Sequence, residues 1–127
     1  MEKLAVLIPG AHQLKEWIRH WPNFHDAEVI SFSLNAGASS FMRVKTWDTS
    51  SELDEQGYFR RSKFVTVEFV MESLVSCTLA EIHLAPAIIF GLEITHSEDM
   101  FSINLDPCYE MYGNLMCRTV RVSLVPA

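Results

Sequence analysis

The side chains with chemistry to offer in this 127-residue chain are five histidines, three cysteines and sixteen carboxylates. His20, His25 and Asp26 lie close together just past a short helical stripe. Imidazoles beside a carboxylate can transfer protons or hold a metal ion. Their spacing matches no recognised ligand pattern, however, and buried polar groups commonly serve to satisfy one another. We therefore read Trp21, Phe24, His25 and Asp26 as a structural corner joining helix to strand. His83 and His96 read as surface or packing residues, and His12 has no evident partner in sequence.

Cys77 alternates in phase with Val75 and Leu79 and reads as core, where a free thiol behaves as a small hydrophobe. Cys108 and Cys117 flank a turn at Gly113, and a thiol pair, a bridge or simple packing all fit. Acids around Cys108 oppose the depressed pKa that a catalytic thiol needs. The stretch opening at Asp48 offers oxygens at Ser50 and Glu52, but Leu53 and Phe59 stand where a calcium loop needs Gly and Glu. The five glycines are scattered singly, so no phosphate-binding loop forms, and neither a nucleophile elbow nor a zinc-protease helix signature occurs. No catalytic residue, metal-ligand set or cofactor is assigned.

The elements that must position these groups follow from hydrophobic period. Leu14, Trp17, Ile18 and Trp21 form a helical stripe, ended by Pro22-Asn23, with Trp17 read as core. The period then changes to two. Ile30, Phe32 and Leu34 form the face of β-structure expected to be buried, and Met42, Val44 and Thr46 form that of the next strand. Residues 48–57 read as an acidic loop, with Trp47 at its start on the wetter face and Tyr58 and Phe59 as possible anchors. Strands follow over 64–71 and 74–82, separated by a turn at Glu72-Ser73, then around Ile88–Ile94 and Met100–Leu105, joined by a hairpin turn at 96–99. Thr119–Leu124 is the last, and residues 1–8 read as a short strand or an arm. The expected fold is α+β: a mostly antiparallel sheet or partly closed barrel of seven to eight strands, with one short N-terminal helix packed on it, in a single domain over residues 1–127.

Charge is unevenly spread. Residues 1–63 hold eight acids and eight bases, whereas 64–127 hold eight acids and only Arg118 and Arg121, which accounts for the net charge of -6. Such a balance argues against nucleic acid or an anionic membrane surface as partner. It fits either a solvated face or an acidic docking face for a basic protein. No apolar run is long enough for a spanning helix, Glu2 beside Lys3 and the break at Pro9 do not read as a signal peptide, and the odd cysteine count fits a reducing compartment. The expectation is a cytoplasmic protein.

The run Trp21-Pro22-Asn23-Phe24-His25-Asp26-Ala27-Glu28-Val29-Ile30-Ser31-Phe32 resembles the opening of the immunity protein 50 family of bacterial toxin–immunity loci. Trp47 followed by an acidic stretch to Gly57-Tyr58-Phe59, the segment Phe90–Ile94, and Leu105–Tyr109 with the later Cys117 are also similar. The resemblance implies a small cytoplasmic, non-catalytic protein that binds and neutralises a cognate toxin; a monomer or weak homodimer is expected. The residue reading beside it nominates Trp47, Asp48, Asp54, Glu55, Tyr58, Glu93, Glu98, Asp99, Asp106 and Glu110 as the partner-binding set. Two alternatives stand: a ligand-binding or enzymatic barrel with a pocket near His25 and Asp26, lined by Phe32 and Leu34, and a structural module that self-associates through an edge strand.

Overall fold

The helical stripe forms α1 (Ala11–Ile18) in a computed structural model that describes residues 4–35, 37–80, 88–107 and 112–125. Gly10 enters it at φ 86, and Arg19 closes it at φ 82 with its N–H donating to Lys15 O at 2.7 Å. Ala11, Leu14 and Ile18 are fully buried and pack the helix on the sheet, whereas Trp17 is 48% exposed. At 100° per residue Trp17 falls to the side of the Leu14–Ile18 line, at the rim of the contact, which corrects its reading as core. Leu4–Leu7 is a 3-10 turn, not a strand, and Ile8 after it is buried.

Among the described residues six strands follow: β1 (Glu28–Ser33), β2 (Ser40–Leu53), β3 (Phe59–Ala80), β4 (Ile89–Ser97), β5 (Met100–Pro107) and β6 (Tyr112–Val125). They form one antiparallel sheet in the order β1-β2-β3-β6-β5-β4. The sheet is not closed, but it curls until its edges touch at one end. There Glu28 bridges to Ile88, and Ile89 N–H donates to Ala27 O at 3.0 Å.

Two local distortions set its shape. In β1 the register shifts between Val29 and Ser31, so Val29 opposite Val44 and Phe32 opposite Met42 face inward, and Ile30 is left half exposed. That bulge overturns the expectation that Ile30, Phe32 and Leu34 share a buried face. In β3 the pair Glu72-Ser73 bends the strand without reversing it, with Ser73 at φ 53. The inward set changes parity there on both partners: Val67, Phe69 and Met71 give way to Leu74, and Val122 and Val120 to Cys117. Counted on either side of this bend, the sheet has seven segments.

The buried face of β2 is Met42, Val44 and Thr46, as its alternation predicts, and Phe69, Ile103 and Leu115 sit fully buried beside it. Cys117 is buried but Cys77 is exposed, which corrects its reading as core, although its register partner Leu115 is buried. Cys108 lies outside the described residues. Among the described residues no helix is long and apolar enough to cross a membrane.

The expected loop at 48–57 is strand over 48–53 and a turn only over 54–57. β2 continues to Leu53 and β3 begins at Phe59, leaving a tight turn between them. β1 pairs with β2 only as far as Lys45, and β6 with β3 only from Thr66. Residues 46–53 and 59–65 are thus a two-stranded arm.

Candidate functional site

The corner that follows α1 is built by its own backbone. Asn23 Oδ1 accepts the His25 N–H at 2.8 Å, Phe24 and Asp26 both sit at φ 61, and the Ala27 N–H donates to Phe24 O at 3.0 Å. Phe24 is buried, 6.1 Å from the Trp21 ring and 5.9 Å from that of Phe69. Asn23 O accepts the Leu92 N–H at 3.3 Å, which ties the corner to β4. His25 lies edge-on to Phe90 at 4.8 Å with Nδ1 3.1 Å from Phe90 O, and its Nε2 is 3.5 Å from Asp26 Oδ2. Both members of this pair are open to solvent, at 51% and 43% side-chain exposure.

An open groove of about 840 Å³ separates this corner from the β2–β3 arm. His20, Trp21, Pro22, Asn23, His25 and Asp26 form one wall, and Thr46, Trp47, Asp48, Asp54, Tyr58 and Arg61 the other. His20 spans it, with Nε2 3.1 Å from Asp48 Oδ1 and Nδ1 3.1 Å from Trp21 O. Both partners are acceptors, so only the imidazolium, with two N–H groups, satisfies them together. The bond to Asp48 and then that to the Trp21 carbonyl hold the His20 pKa above its ordinary 6.5, against the opposing effect of partial burial.

At the tip of the arm, Asp54 Oδ1 accepts the N–H groups of Gln56 and Tyr58, both at 2.9 Å, so this carboxylate also holds the turn. Along the arm the Arg61 guanidinium lies 4.5 Å over Trp47, Trp47 is 5.7 Å from Phe64, and Lys45 is 5.8 Å over Phe64. The Trp17 indole N–H donates to Lys63 O at 3.2 Å and fastens helix to arm.

A second, smaller groove of about 490 Å³ shares Trp21, Pro22, Asn23 and His25 and adds Phe90, Gly91, Leu92 and Asp106. The corner is therefore a ridge between two depressions.

Of the residues nominated from sequence, Trp47, Asp48, Asp54 and Tyr58 converge on the larger groove, with Glu55 exposed at the tip of the arm. Asp106 lines the smaller groove, Glu93 is exposed on β4, and Glu98 and Asp99 form the exposed β4–β5 turn, both with positive φ. Glu110 lies outside the described residues, as does His83. Phe32 and Leu34 line neither groove, so the pocket imagined around them with His25 and Asp26 is not assembled.

Sequence reasoning missed His20 and Arg61 as wall residues. For Arg61 the signal was the outward alternation of Lys45 and Trp47, which continues along β2 to Thr49, the register partner of Arg61. The acidic second half also has counter-charges across strands. Arg43 Nε donates to Glu68 Oε2 at 2.8 Å, and Arg121 lies 4.0 Å from Glu72, which also accepts from Ser39 Oγ at 2.6 Å.

Among the described residues no group of three or more His, Cys, Asp or Glu side chains is gathered as a metal site. Compared with family models, with curated proteins and with solved structures, the chain matches none.

Proposed function

We propose that this protein is an immunity-type binding protein that neutralises a cognate, basic bacterial toxin by occupying it, without chemistry of its own. The observation that carries the reading is the convergence of Trp47, Tyr58, Asp48 and Asp54 on one open groove. Rigid aromatic rings beside carboxylates suit a protein contact, since Trp and Tyr supply large contact area at small ordering cost. The net charge of -6 would steer a basic partner toward encounter. The resemblance of Trp21–Phe32 to the immunity protein 50 family supplies the partner's class, a bacterial toxin met in the cytoplasm, with neither nucleic acid nor membrane involved.

A ligand-binding or enzymatic barrel is less well supported, because the His25–Asp26 pair is half exposed above a solid core at Phe24 and Ala27. Self-association through an edge strand has less free edge to use, since the two edges meet at Glu28 and Ile88.

The test is capture with tagged protein from a lysate of the encoding organism, washed at rising salt and read by mass spectrometry. Stoichiometric retention of one basic protein, lost as salt rises, supports the reading. A small molecule carried by the purified chain, with no protein retained, overturns it.

A further inference from the structure

The β2–β3 arm carries a ladder that the acidic character of the chain conceals. Lys45, Phe64, Trp47 and Arg61 stack in that order, with separations of 5.8, 5.7 and 4.5 Å. Phe64 is 44% exposed, and Arg61 is open to solvent at the far end. A cation held over a ring face keeps its charge while losing side-chain freedom, so an incoming carboxylate meets groups already ordered. The rings between them offer apolar area for the stem of a bound chain.

We propose that this ladder docks an acidic, extended segment of a protein partner, with one carboxylate on Lys45 and another on Arg61. The inference is separate from the immunity reading: Trp47 and Arg61 also border the groove assigned to the basic partner, so the two occupants would compete for them. Arg61 pairs in register with Thr49, four residues along β2 from Lys45. At the rise of a strand this separation is about 13 Å, which an extended segment spans with carboxylates at positions i and i+4 on one side. Single-stranded nucleic acid, which also favours rings beside cations, fits less well. The net charge of -6 opposes a backbone with one charge per nucleotide more than a segment with two carboxylates.

The experiment measures binding of the whole protein to a fluorescein-labelled ten-residue Gly/Ser peptide bearing Glu at i and i+4, by polarisation at low salt. The same peptide with Gln in place of Glu and a ten-nucleotide oligothymidine are the comparisons. We expect the Glu peptide to bind and the Gln peptide to bind at least about tenfold more weakly, the scale of two exposed ion pairs on ordered groups. The K45Q/R61Q double variant should lose the same factor while its thermal melt stays within a few degrees of the parent. No binding of the Glu peptide up to millimolar concentration overturns the proposal. So does equal binding of the Glu and Gln peptides, equal binding by an intact K45Q/R61Q, or tighter binding of the oligothymidine.

Discussion

Gly10 is where the N-terminal segment is seated on the sheet, and replacing it tests how the groove is supported. A Cβ there would lie 1.8 Å from Val122 O and 2.9 Å from Val122 C, both backbone atoms that no side-chain rotation can move. Gly10 also sits at φ 86, a conformation costing an L residue about 1–2 kcal/mol. The contact cannot be relieved without lifting the turn off β6, which breaks the 2.8 Å bond from the Val122 N–H to Pro9 O. Val122 is buried, so its orphaned N–H adds about 1–3 kcal/mol. Gly10→Ala should therefore cost about 2–5 kcal/mol, a large share of the roughly 5–15 kcal/mol typical of a domain. Gly57 is the control. Its φ is 85 but nothing lies within 4 Å of its would-be Cβ, so Gly57→Ala should cost only the backbone strain, about 1–2 kcal/mol. Urea unfolding followed by tryptophan fluorescence reads both. Equal losses for the two variants would refute the argument that backbone contact on β6, and not φ alone, demands glycine at position 10.

Three further outcomes follow from the site. The raised His20 pKa means the His20–Asp48 bond stabilises the fold fully below about pH 6.5 and loses that contribution as pH rises through the folded pKa. Histidine NMR should place His20 above 6.5 and Asp48→Asn should bring it down; an unchanged titration in that variant would remove Asp48 as the cause. Burial pushes the Cys117 thiol up to about 11, so iodoacetamide at pH 8 should label exposed Cys77 in the native protein and reach Cys117 only on unfolding. Native labelling of Cys117 at the rate of Cys77 would contradict its burial. Removing charge at the β4–β5 turn with Glu98→Asn and Asp99→Asn keeps residues suited to positive φ there. On the captured partner this pair should slow association a few-fold and flatten its salt dependence, and an unaltered association rate would exclude that turn from the steering surface.

Much of the architecture was legible because alternation and helical period are local. The α1 stripe, the Met42–Thr46 face, the turn expected at 96–99 and found at 98–99, and the overall α+β sheet class all follow from neighbours in sequence. What escaped depends on registers that a single strand does not display. Val29 and Ile30 are both apolar, so nothing in β1 alone announces a bulge between them and Ser31. Residues 48–53 look like a loop because an arm paired only with its own partner strand has no core to fill and so no apolar alternation. Cys77 alternates like a core residue and lies opposite buried Leu115, yet it is exposed, which alternation within one strand does not display. The groove combined both kinds of information. Trp47, Asp48, Asp54 and Tyr58 were identifiable from composition, whereas His20 and Arg61 join them only through the path of the chain after α1 and the register of the arm.

Growth of a bacterial host expressing the captured basic protein, with and without this chain, tests the central claim most directly. The account predicts arrest by the partner alone and recovery when the chain is co-expressed, with recovery weakened by Trp47→Ala and Asp48→Lys although both variants remain folded. A partner that leaves growth unaffected, or an arrest that persists although the two proteins form a stoichiometric complex, would contradict neutralisation by binding.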